Sequence, residues 1–136
     1  MDLDLASASR TAACAAALAN LDIIEREGLV ENAARMGDYL LDGLNGLRDH
    51  PSVGDVRGIG LLAGMELVED KENREKFPSD AIEHLNAGLL KRGLLTRASH
   101  IVSLSPPLCI TRAEIDRIVA ILDDSIGDME RAFGLG

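Results

Sequence analysis

The sequence predicts an α+β domain: a small, mostly antiparallel sheet of roughly three strands with helices packed on one face, preceded by a long Ala-rich helix. Three observations carry this. The elements read helix, helix, strand, helix, hairpin, helix, with no alternation of the βαβ kind. The helical stretches repeat apolar residues three or four apart, while the extended stretches are short and punctuated by glycine. Each change of period falls at a Gly or Pro, such as Gly28, Pro51, Pro78 or Gly93.

Residues 1–11 (MDLDLASASRT) show no sustained period and are expected as a loose lead-in, leaving 12–136 as the domain. The chain then turns strongly helical, because Ala has the best intrinsic propensity and Leu18, Leu21, Ile23 and Ile24 form one apolar stripe. Gly28 is expected to end this helix in a left-handed turn. A second helix follows, with Val30, Ala33, Ala34, Gly37, Leu40, Leu41, Leu44 and Leu47 on its inner face, running to about Arg48 before His50-Pro51. Val53 to Glu69 is expected as an extended strand whose glycines (Gly54, Gly58, Gly60, Gly64) allow bulges or close approach by another backbone. The run EDKENREKF is a solvated loop. Pro78-Ser79-Asp80 opens a third helix carrying Ile82, Leu85, Leu89 and Leu90, stopped by Gly93. Leu94–Thr96 and Ile101–Leu104 flank the polar turn Ser99-His100 as a hairpin, which Pro106-Pro107 ends. The last helix opens on a capping box, Thr111 with Glu114. Ile115, Ile118, Val119, Leu122, Ile126, Met129 and Phe133 follow at helical intervals.

Composition narrows the function. A chain of 136 residues holds one domain, and 46% hydrophobic with 27% charged residues is an ordinary globular balance. The net charge of -9 disfavours duplex DNA and anionic membranes as partners. Tyr39, Phe77 and Phe133 are the only aromatics, so the core is aliphatic. Cys14 and Cys109 lie in apolar runs and are expected as small buried hydrophobes. Asp2 and Asp4 stand where a signal peptide carries basic residues, and the longest apolar run is too short to span a bilayer. A soluble, cytoplasmic protein is expected.

Few residues announce chemistry. His50, His84 and His100 are isolated in sequence and expected at the surface. Gly58-Ile59-Gly60-Leu61-Leu62-Ala63-Gly64 superficially resembles a dinucleotide fingerprint, but its spacing is wrong and no helix follows. Metal-ligand spacings are absent. Arg97 stands out, placed among Leu94, Leu95 and Thr96. A guanidinium there wants a carboxylate to hold through two parallel hydrogen bonds, either a ligand's or that of an internal Asp or Glu.

Three segments together resemble the C-terminal small domain of class III (ω-type) pyridoxal-phosphate-dependent aminotransferases. They are AACAAALANLDIIEREGLVENAARMGDYLLDGL, VGDVRGIGLLAGMELVEDK and GLLTRASHIVSLSPPLCITRAEIDRIVAIL, which together cover nearly everything after Ala12. The resemblance implies fold type I and pyridoxal phosphate in the intact enzyme. That cofactor would be held mainly by a large domain with a Schiff-base lysine, an aspartate under the pyridine nitrogen and a stacking aromatic. Lys71, Lys76 and Lys91 match no such lysine. The family's Thr-aromatic-Ser-Gly-His-Pro segment is replaced by Ala6-Ser7-Ala8-Ser9-Arg10-Thr11, so no cofactor contact carries over and none is expected on this chain alone. Arg97 matches the family arginine that grips the substrate carboxylate. The turn Ala98-Ser99-His100 is one residue shorter than the family's.

The leading expectation is therefore a fragment of an enzyme moving an amino group between an amine or amino acid and a keto acid or aldehyde, with the isolated chain inactive. The alternatives are one half of a split enzyme completed by a large-domain chain, and a non-catalytic interaction module. The chain is expected as a homo-oligomer, a dimer being the simplest form, because the stripe Leu18, Leu21, Ile24 is longer than so small a domain covers from within.

Overall fold

The computed structural model describes residues 3–134, with side-chain surroundings from Thr11 onward. Helix α1 (Leu3–Arg26) enters α2 (Leu29–Gly46) through Gly28, whose φ of 60° is the left-handed turn expected there. Helix α1 begins at Leu3, within the segment 1–11 expected as a lead-in, in a run that holds no Gly or Pro to break it. Met1 and Asp2 lie outside the described residues. From Thr11 to Glu27 every residue except Ile24 is exposed, with Leu18 64% and Leu21 55% accessible.

A short 3₁₀ turn (Leu47–Asp49) leads into the sheet. The expected single strand is a hairpin, β1 (Val53–Ile59) and β2 (Leu62–Leu67). Gly60, at a φ of 52°, turns the chain between them. The register shifts between Val53 and Asp55, so Gly54 sits at a bulge of the kind the glycines suggested. The loop after β2 is exposed as expected. Asp70 closes its turn by accepting from the amides of Glu72 (2.7 Å) and Asn73 (3.3 Å), which holds its carboxyl below the usual range. Phe77, at the end of the run, is buried.

Helix α3 (Ser79–Lys91) precedes the second hairpin, β3 (Arg97–Ala98) and β4 (Ile101–Leu104), and α4 (Arg112–Phe133) closes the chain. The first strand of that hairpin starts at Arg97 rather than Leu94, because Leu94 packs partly buried against the core. The capping box forms: Thr111 N–H donates to Glu114 Oε2 at 2.8 Å, and Glu114 N–H to Thr111 Oγ1 at 3.4 Å.

The sheet has four strands, one more than expected, in the order β1-β2-β4-β3, all antiparallel. Its register puts Val56, Met65, Val102 and Ala98 in one row on the inner face, all buried. Leu40 and Leu44 of α2, Leu85 and Leu89 of α3, and Ile115, Leu122, Ile126 and Met129 of α4 cover that face. Each such side chain contributes about 1.5–3 kcal/mol through burial. The helices therefore lie on one face, as the sequence predicted, and the other face is left open.

Candidate functional site

The open face is built from the side chains that alternate with the core. The row next to the buried one reads Arg57, Gly64, Ser103 and Arg97 across the sheet. Two guanidinium groups thus stand at opposite ends of one row, with a glycine and a serine between them. Arg57 is engaged, with its Nε 3.7 Å from Asp55 Oδ2. Arg97 is exposed and makes no ion pair among the described residues. The internal salt bridge that sequence spacing allowed for Arg97 is therefore not formed there.

The backbone around Arg97 is held on both sides. Thr96 Oγ1 donates to the carbonyl of Ser103 across the hairpin. Asn86 Nδ2, from α3, donates to the carbonyl of Ala98 at 2.9 Å. These two bonds do what a strand of only two residues cannot do through its ladder alone. Beside the strand lies a hollow of about 450 Å³, lined by Leu95, Thr96, Ser105, Pro107, Glu114 and Arg117 among others. Arg97 is not among its lining residues, and neither is any lysine.

The other expectations divide. His84 and His100 are exposed, and the His84 ring meets Phe133 edge-on at 6.0 Å between centroids. Cys14 and Cys109 are both free and exposed, correcting the expectation of burial. Cys14 sits on the part of α1 that is exposed among the described residues, and Cys109 sits in the turn before α4. Lys71 donates to the Arg48 carbonyl at 2.9 Å from the solvated loop; Lys76 and Lys91 are exposed.

His50 is the larger correction. It is half-buried, and both ring nitrogens meet carboxylates: Nδ1 lies 2.7 Å from Glu130 Oε2 and Nε2 2.7 Å from Asp123 Oδ1. The buried Glu130 also accepts from Ser52, at 3.0 Å from its amide and 2.6 Å from its hydroxyl. Sequence reading missed this cluster because its members lie about eighty residues apart. One signal was available: Glu130 falls four residues after Ile126, on the inward stripe of α4.

Comparison with known proteins shows what the chain as a whole is similar to. The family model described as "Aminotransferase class-III" matches residues 9–126. A taurine–pyruvate aminotransferase of Bilophila wadsworthia is 44% identical over 135 residues, covering 92% of this chain and 29% of that protein. A diaminobutyrate–2-oxoglutarate transaminase of Halomonas elongata is 42% identical over 125 residues, covering 88% of this chain and 27% of that protein. Among solved structures, an (S)-enantioselective omega-transaminase from Thermomicrobium roseum superposes with a TM-score of 0.82 at 42% identity, over 86% of this chain and 27% of that one. The chain thus spans less than a third of the length of each of these relatives.

Proposed function

Because the chain belongs to the class III aminotransferase family, we propose that residues 12–136 form the small domain of an enzyme that moves an amino group between an amine or amino acid and a keto acid or aldehyde. Its placing at the C-terminal end of the intact enzyme is part of this proposal and rests only on the resemblance of the three sequence segments to that domain. The observation that carries the reading is Arg97. In a chain with 23 acidic residues this guanidinium takes none of them as an ion-pair partner among those described, and stands on the open face of the sheet. Its role is to grip a substrate carboxylate through two parallel hydrogen bonds, orienting the substrate by the planar match of the two groups.

In such enzymes pyridoxal phosphate supplies the electron sink, and a lysine holds it. The residues of this chain do not fit that group. Lys71, Lys76 and Lys91 are exposed, and none lines the hollow beside β3. No chemical step is therefore assigned to this chain through the cofactor. The lysine belongs to a large domain, either in a longer chain or on a separate one, and the isolated chain is inactive. A cytoplasmic setting is part of the proposal and rests on the two unpaired cysteines.

The test is an assay of the purified chain with pyridoxal phosphate, an aldehyde without a carboxylate as amino acceptor and a panel of amino donors, alone and with a chain carrying the lysine domain. The expected result is turnover only in the mixture. There, Arg97→Lys lowers the rate for donors bearing a carboxylate and leaves simple amines unchanged. Turnover by the chain alone, or equal losses for both donor classes, overturns the reading. A second reading, a non-catalytic oligomerising module, is favoured by one observation: α1 presents Leu18 and Leu21 to solvent.

A further inference from the structure

The His50 cluster lies apart from Arg97, and its proton count decides what it does. Both ring nitrogens are within 2.7 Å of a carboxylate oxygen, and an ionised carboxylate only accepts. A neutral imidazole has one N–H, so it satisfies one of these carboxylates and turns a lone pair on the other. An imidazolium donates to both. We propose that His50 is carried as the imidazolium and acts as a latch between two carboxylates of α4, fastening the entry to β1, so that losing its proton loosens this end of the sheet.

The charged groups facing the ring favour the cation. Asp123 and Glu130 reach it from α4. Asp49, from the 3₁₀ turn, shares its surface hollow with Gly46, Pro51 and Asp123. Arg131 lies over Gly127, as does the His50 Cε1 edge, but its guanidinium is taken by Asp128 at 2.5 Å. Arg48 of the 3₁₀ turn is likewise taken, by Asp55 at 2.6 Å. The segment leading into β1 contributes Ser52, which carries no charge. Burial opposes protonation of the ring, but the hydrogen bonds to Glu130 and Asp123 outweigh it and hold the pKa above the ordinary 6.5. The sign follows. Stabilisation from a raised histidine pKa is complete below about 6.5 and is lost as pH climbs through the folded value.

The latched end carries more than β1. Val68 N–H donates to the Ser52 carbonyl at 2.9 Å, and Leu67 N–H to the His100 carbonyl at 2.8 Å. The turn between β3 and β4 therefore hangs from the same end of the sheet.

NMR titration of the ring in the full chain, from about pH 5 to 9, tests the latch, with a histidine in an unstructured peptide as reference. The expected result is protonation of both nitrogens at neutral pH and a midpoint above the reference. Urea unfolding over the same range should show wild type losing stability as pH rises, while His50→Gln does not. Asp123→Asn, whose side chain is largely exposed, should fold normally and lower the His50 midpoint, which keeps the test decisive if His50→Gln fails to fold. A His50 midpoint at or below the reference overturns the proposal, as do parallel stability curves for wild type and His50→Gln.

Discussion

Gly37 offers a sharp test of how α2 is seated. A Cβ built on it would lie 2.3 Å from the Gly60 carbonyl carbon and 2.4 Å from its Cα and oxygen. Carbon atoms in contact sit about 3.5–4.0 Å apart, so Gly37→Ala forces α2 and the β1–β2 turn apart by more than about 1 Å. The obstacle is backbone, held by the hairpin ladder, and cannot rotate away. Met36, Leu40 and Leu44 share the helix and would be drawn from the core with it. Against this, Ala gains about 1 kcal/mol over Gly in a helix interior. Overpacking costs about 1–3 kcal/mol and, against fixed backbone, belongs at or beyond the upper end. The expected net loss is about 2 kcal/mol, or roughly 6–10 °C in Tm for a chain of this size. Gly46→Ala is the control. It lies at the end of the same helix with a φ of -60° and nothing within 4 Å of an added Cβ, so it should gain about 0.5–1 kcal/mol. Urea unfolding followed by circular dichroism, at one fixed protein concentration, reads both. If Gly37→Ala is as stable as wild type, the close approach of α2 to the turn is wrong.

Removing the cap of α4 by Thr111→Ala should cost about 1 kcal/mol in the same assay, and no change in midpoint would mean the capping box does not form in solution. Leu122→Ala empties a fully buried core position on α4 and should cost about 2–5 kcal/mol; a loss below about 1 kcal/mol would place Leu122 outside the core. The exposed stripe of α1 should bring two copies together. Sedimentation at micromolar concentration should show a dimer that Leu21→Glu dissociates, and a single species near 14.5 kDa would refute it.

What the sequence disclosed depended on the range of the interactions involved. The capping box of α4 involves residues three apart, and Gly28 acts on its own backbone, so both could be read directly. The inner stripes of α2, α3 and α4 could be read from periodicity, although Val30 and Leu90 belong to those patterns and are exposed. The split between β1 and β2 was hidden because Gly58, Gly60 and Gly64 are equivalent as letters, and only Gly60 takes a positive φ. The exposure of Cys14 follows from what fails to pack on α1, which no local pattern records. His50 and Glu130 meet only after β1 and α4 are assembled. Arg97 was singled out in the sequence, but its neighbours on the open row come from strand register.

Arg97 combines a fixed base with a side chain that nothing else in the described chain engages. Thr96 and Asn86 hold the backbone to either side. The guanidinium thus retains rotamer entropy worth about 2 kcal/mol, which any bound anion must overcome before affinity shows. An anion offering one point of contact leaves much of that freedom unspent and gains little. A planar anion with two oxygens removes it for two hydrogen bonds at once. In the role proposed for Arg97, a preference for such ligands would follow from the rotamer freedom of an exposed guanidinium, before any second binding group is considered.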